Sequence, residues 1–100
     1  MNYRILKYEI PIATEFVLQM HQKSRILKVA VINEKAYIWA LAPKENSIIP
    51  VKFRVVMTGE EIELPITYEY VDTFIISYGE FVGHLFVDTS IPSQMRTFGV

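Results

Sequence analysis

The chain has 100 residues, no cysteine and a formal net charge of −1, which excludes a disulfide scaffold, a thiol nucleophile and a thiolate zinc site. Its apolar content of 51% excludes a disordered polar tail, and the length suits one domain that folds alone with a thin margin. The apolar residues are those of a sheet protein: 13 Ile and 10 Val stand against six Leu and five Ala, and β-branched side chains favour a pleated surface while Ala and Leu favour helix.

From Met1 to Ile10 the chain alternates loosely, with Arg4, Leu6, Tyr8 and Ile10 on one face, and Pro11 stops it. Phe16, Leu18 and Met20 share a face opposite Val17 and Gln19, a period that favours strand over one turn of helix capped by Thr14. His21 to Ser24 is polar and reads as a turn that leaves His21 in solvent. Ile26–Ile32 and Ala36–Ala42 form a hairpin through Asn33-Glu34-Lys35. In its second arm Tyr37, Trp39 and Leu41 lie on one face, and Ala36, Ile38, Ala40 and Ala42 on the other. Pro43 to Pro50 reads as a loop.

Val51 to Met57 alternates most clearly, with Val51, Phe53, Val55 and Met57 facing one way and Lys52, Arg54 and Val56 the other. Thr58-Gly59 ends that strand, and Glu60 to Pro65 reads as an acidic loop. Tyr68 to Ser77 reads as a long strand with Tyr70, Asp72, Phe74 and Ile76 on one side. Tyr78-Gly79-Glu80 turns the chain into a hairpin partner, Phe81 to Val87, with Phe81, Gly83, Leu85 and Val87 on one face. Asp88 to Val100 has no clear period and is an extended C-terminal tail in which Ile91 and Phe98 are candidates to dock.

These elements predict a single all-β domain over residues 1–100, a compact antiparallel β-sandwich or small barrel of six to seven strands. No stretch approaches the roughly 20 apolar residues of a membrane-spanning helix, and the N-terminus lacks the apolar core of a signal peptide. The expected location is the cytoplasm, with no membrane partner.

Charge is split along the chain. Residues 1–50 carry seven Lys/Arg and four Asp/Glu, residues 51–100 three and seven, and Glu60 to Asp88 holds seven acids and no Lys or Arg. One account pairs basic N-terminal strands with acidic C-terminal ones. The other makes the split a contact between subunits, or with a basic partner. Neither favours nucleic acid, because Lys52 and Arg54 on one face do not make a basic stripe.

Catalytic patterns are weak. His84 sits inside a strand beside Gly83, where a packed, hydrogen-bonded histidine is the commoner outcome than a catalyst. His21 and His84 lack metal-site spacing, and Glu60, Glu61 and Glu63 sit in a loop that would leave all three solvated rather than tuned apart for acid–base work. No nucleophile elbow and no glycine-rich phosphate loop is present. The aromatics Tyr37, Trp39, Tyr68, Tyr70 and Tyr78 can serve core, interface or stacking on a base.

The order of Lys7-Tyr8-Glu9-Ile10-Pro11, the hairpin from Ile26 to Leu41, Phe53-Arg54-Val55-Val56-Met57-Thr58-Gly59-Glu60, Tyr70-Val71-Asp72-Thr73-Phe74 and Phe81-Val82-Gly83-His84-Leu85-Phe86 resembles a family of small uncharacterised phage and prophage proteins. Met57 departs from the small residue usual there, and the tail extends past the family's usual end. The resemblance implies phage origin and a compact β fold, with no established reaction and no cofactor.

The expected function is a phage-encoded, non-enzymatic binding protein that self-associates and meets a host protein, in host takeover or counter-defence. The alternative is an oligomer that sequesters a nucleotide-like ligand, with Tyr37, Trp39 and Tyr70 stacking and Lys52, Arg54 or Arg25 meeting phosphate. A small hydrolase using His84 ranks third. Candidate binding residues are therefore Tyr37, Trp39, Lys52, Arg54, Tyr70 and His84, with no metal ligand.

Overall fold

Strand alternation decides which side chains enter the core, and the computed structural model follows it through seven strands within the described residues 1–90. They are β1 (Tyr3–Glu9), β2 (Glu15–His21), β3 (Arg25–Ile32), β4 (Lys35–Pro43), β5 (Ile48–Met57), β6 (Tyr68–Ile76) and β7 (Phe81–Asp88), with a short 3₁₀ turn at Ser77–Gly79 between the last two. The expected docking of Ile91 and Phe98 lies outside the described residues.

The strands form two antiparallel sheets, in the orders β1-β4-β3 and β2-β5-β7-β6. The sheets stay separate, so the sandwich alternative holds and the closed barrel does not. One apolar layer joins them: Ile26, Val29, Ala36, Ile38 and Ala40 from the first sheet meet Met20, Val51, Phe53, Val55, Val71, Phe74, Leu85 and Val87 from the second. Central β4 contributes small buried alanines and the four-stranded sheet bulkier side chains, among them Phe53, which stacks on Phe16 with ring centroids 5.0 Å apart.

Both hairpin turns use consecutive residues in left-handed backbone. Asn33 and Glu34, at φ 49° and 66°, give the two-residue β3–β4 hairpin the twist that matches its arms. Ser77 and Tyr78, at φ 57° and 55°, do the same work between β6 and β7. The Glu34 carboxylate fastens the two turns together by accepting from the Ser77 amide at 2.8 Å and its hydroxyl at 3.0 Å.

Three sequence expectations change. First, β5 begins at Ile48, not after Pro50. The bonds Val55 N–H to Thr14 O and Gln22 N–H to Ser47 O set the β2–β5 phase, in which Pro50 turns its ring nitrogen away from β2. The β5–β7 ladder starts only at Phe53, so no strand needs the missing donor. Second, a bulge between Tyr70 and Asp72 resets β6, so Val71 enters the core with Phe74 and Ile76 while Tyr70 stays outside. Third, basic N-terminal strands do not pair with acidic C-terminal ones: β1, β3 and β4 form their own sheet, and β2–β5 is the one ladder joining the two halves of the chain among the described residues.

Gly83 meets the core most closely. A Cβ built there would lie 2.6 Å from Phe74 Cζ, in a ring that also stacks with Phe81 at 6.0 Å. Gly83→Ala is therefore expected to lose about 1–3 kcal/mol in urea unfolding. Phe74→Leu, which shortens the ring, should cost less in that background than in the wild type. Equal costs in the two backgrounds would refute the contact.

Candidate functional site

The strand order fixes what covers the four-stranded sheet. β5 and β6 both run antiparallel to β7, which lies between them, so residues 58–67 must carry the chain back along the sheet. The inner face is filled by core, and this strap crosses the outer one. Thr58 Oγ1 lies 2.8 Å from His84 Nε2, and Arg54 Nη2 donates to Glu60 Oε2 at 3.2 Å. Ile62 and Leu64 are half-buried while Glu61 and Glu63 are exposed. Val56, outward by alternation, is nevertheless only 7% exposed.

His84 is held on both sides. Thr73 Oγ1 lies 2.8 Å from Nδ1, opposite the Thr58 contact, and the Tyr70 hydroxyl lies 2.7 Å from Thr73 Oγ1. A neutral imidazole donates from one nitrogen and accepts at the other, and hydroxyls can satisfy either role. The ring is thus the hub of a hydrogen-bonded row across β6, β7 and the strap. Tyr70 also sets its ring edge-on to Phe86 at 5.7 Å. Arg54 ends at Glu60, whose other oxygen accepts from the Met57 amide at 3.0 Å, and the Arg54 Nε is buried without a hydrogen-bond partner.

Lys52 stands one row further along, opposite Val17, with Asp88 and Tyr68 beyond it. At Asp88, burial would raise the pKa, but hydrogen bonds from Ser90 and Thr67 and the charge of Lys52 prevail and hold the carboxyl below its ordinary value. The neighbouring Tyr68 phenol is pushed up, first by burial and then by Asp88 and Glu15, against Arg54.

Tyr37 and Trp39 lie on the opposite side of the molecule, on the outer face of the three-stranded sheet. Their centroids are 6.0 Å apart, and Lys7 Nζ sits 4.8 Å above the Tyr37 ring. Register places Arg25, Lys28 and Lys35 on this face, with Glu9 as the acid among them. Tyr3, Ile5 and Ile32 expose about half of their surface around it. The six sequence candidates therefore divide: Tyr37 and Trp39 on one outer face, Lys52, Arg54, Tyr70 and His84 on the other. Within one copy, Trp39 cannot share a ligand with Lys52 or Arg54, whereas Arg25 lies on its face.

His21 is not the solvated turn residue expected. It ends β2, and its Nδ1 lies 2.8 Å from the Asn46 carbonyl, while Asn46 Nδ2 donates to Gln22 O at 2.9 Å. Glu60 is occupied by Arg54 and a backbone amide, and among the described residues no group of three His, Cys, Asp or Glu is placed to hold a metal. An apolar pocket of about 190 Å³ opens between the sheets near the Glu34–Ser77 clip, against Ile10, Val55, Phe74 and Phe81. Sequence reasoning missed Thr58, Thr73 and Lys7, because threonines and lysines carry no signal until the register of the strands and the path of the strap are known.

Replacing His84 with Ala should cost about 1–2 kcal/mol, since two threonine hydroxyls lose their shared partner. Unfolding by denaturant checks this, and an unchanged midpoint would dismiss the hub. Asp88 gives a pH prediction. Folding lowers its pKa, so its stabilising contribution is present above the ordinary carboxylate range, about 4, and fades as pH falls through the folded value. Asp88→Asn should therefore flatten the acid limb of a Tm-against-pH curve and leave the limb above pH 6 unchanged in slope.

No curated protein and no solved structure matches the chain. A family match does exist, to a domain of unknown function, DUF7352, and it covers residues 1–95, which include every described strand and both outer faces. With nearly the whole sequence matched, the chain belongs to the DUF7352 family of domains of unknown function.

Proposed function

We propose that this domain is a non-enzymatic binding protein whose partner lies against the outer face of the three-stranded sheet. The observation that carries the proposal is the Lys7–Tyr37–Trp39 cluster, framed by exposed Tyr3, Ile5 and Ile32 and by Arg25, Lys28 and Lys35. Tryptophan, tyrosine and arginine dominate the energetics of protein interfaces, and an apolar centre with a charged rim is their usual arrangement. The rim is cationic, so the partner is a protein surface that offers acidic side chains around an apolar centre. Occupation of both His84 nitrogens by threonine hydroxyls supports a structural role for that ring over a hydrolytic one.

The finer reading is a phage-encoded protein that meets a host protein in the host cytoplasm, in takeover or counter-defence. The resemblance to phage and prophage proteins supports it. A second reading, sequestration of a nucleotide-like ligand, rests on the same aromatic pair, with Arg25 and Lys28 as the phosphate contacts.

Tagged protein expressed in a bacterial host is expected to retain a host protein that Trp39→Ala with Lys28→Glu releases. The loss should reach about 30-fold in affinity for a residue worth about 2 kcal/mol. Lys52→Glu, on the other face, should leave retention intact. Retention that follows Lys52 instead would overturn the assignment of the face. Quenching of Trp39, the only tryptophan, by a nucleotide with no protein retained would favour the second reading.

A further inference from the structure

Among the described residues the two sheets leave four open edges, β1 and β3 on one sheet and β2 and β6 on the other. An open edge invites another strand, and proteins guard against this with bulges, proline or inward charge. β3 is guarded by a bulge between Ile26 and Lys28, and β6 by the bulge between Tyr70 and Asp72. β1 has neither a bulge nor a proline, and its inward charge, Arg4, sits near one end of the strand and reaches solvent rather than blocking the middle. Its register with β4 runs unbroken from Tyr3–Pro43 to Glu9–Tyr37, and it holds no proline. β2 is also regular, but Val17 is its one large exposed apolar residue, whereas β1 exposes Tyr3 and Ile5 at 54% and 59%.

Two bonds fix which groups of β1 are free. Ile10 N–H donates to Ala36 O at 2.8 Å, and Lys44 N–H donates to Asn2 O at 3.0 Å. In an antiparallel ladder the bonded pairs alternate, so the even-numbered residues of β1 turn their amide and carbonyl toward β4. Tyr3, Ile5, Lys7 and Glu9 turn theirs outward.

We propose that a second copy of this chain pairs with β1, antiparallel, about a two-fold axis at Leu6. In this register Tyr3 meets Glu9, Arg4 meets Tyr8 and Ile5 meets Lys7 of the other copy. Every outward amide and carbonyl of both strands then has a partner. Shifting the axis by one residue to Lys7 sets the two Lys7 side chains opposite each other and leaves Tyr3 without a partner in the other β1. Pairing at Leu6 makes one continuous six-stranded sheet. Because the axis stands perpendicular to that sheet, both Trp39 faces point the same way, side by side. The proposal does not depend on what binds that face.

Sedimentation of the wild-type chain should show a dimer at micromolar concentration. Ile5→Pro removes an outward amide and no bond to β4, so it should give a monomer with unchanged β circular dichroism. The chain has no cysteine, so single thiols report the register without background. Leu6→Cys faces its own copy in a non-hydrogen-bonded pair, close enough for a disulfide, and should cross-link under mild oxidation. That cross-link keeps the proposal testable if Ile5→Pro fails to fold. Three results would overturn it: a wild-type monomer throughout, cross-linking by Leu18→Cys at the centre of β2 but not by Leu6→Cys, or salt-sensitive oligomers that Lys28→Glu disperses, which would mean stacking of oppositely charged faces.

Discussion

The position of β7 between β5 and β6 constrains most of what this molecule presents to its surroundings. Two parallel strands flanking an antiparallel one cannot be joined by a tight turn, so the chain has to recross the sheet. The segment that does so is the most acidic in the sequence, and it is anchored where outward side chains of the sheet can reach it, at His84 and Arg54. That face consequently carries a layer of its own chain. The other sheet, with hairpin β3–β4 and β1 added at one edge, has no connection long enough to cover it. Among the described residues, the asymmetry between a covered acidic face and an uncovered cationic, aromatic one follows from strand order before any question of partner arises.

Much of this was legible in the sequence where a single period ran unbroken. The alternation through Val51, Phe53 and Val55 and through Phe81, Gly83, Leu85 and Val87 gives the inward faces of β5 and β7 as observed, and Phe16, Leu18 and Met20 do so for β2. It failed where one residue broke the phase. Val71 is an extra residue in β6, and a pattern of period two has no means of announcing it. Pro50 looked like a stop because its tolerance depends on where β7 ends, a fact of register between distant segments. Among the candidate binding residues, Tyr70 was grouped with Phe74 and parts from it only because of the bulge, and the division of all six between two sheets required the pairing of β1 with β4 and of β2 with β5, which adjacency along the chain does not suggest.

The electrostatics show the same dependence. Lys7 comes from β1, remote in sequence from the β3–β4 hairpin that carries Arg25, Lys28 and Lys35, and together they gather around Tyr37 and Trp39. Across the sandwich Glu60 neutralises Arg54, and Lys52 stands near Asp88. A net charge of −1 therefore conceals a dipole directed through the thickness of the molecule. Such a distribution orients encounter with a charged surface more than it adds to affinity.

Strand order also sets a timetable for folding. Among the described strands only β3 with β4 and β6 with β7 are both paired and joined by a short turn; β1 waits for residues 37–43 and β2 for residues 48–54 before either can pair. Closing loops of that length comes before the contacts that reward it, which places the domain among slowly folding, non-local topologies. As the chain emerges from a ribosome, β1 and β2 precede their partners and must stay unpaired through that interval. The Glu34–Ser77 clip can form only after the β6–β7 turn exists, so it records the completion of both sheets rather than their start.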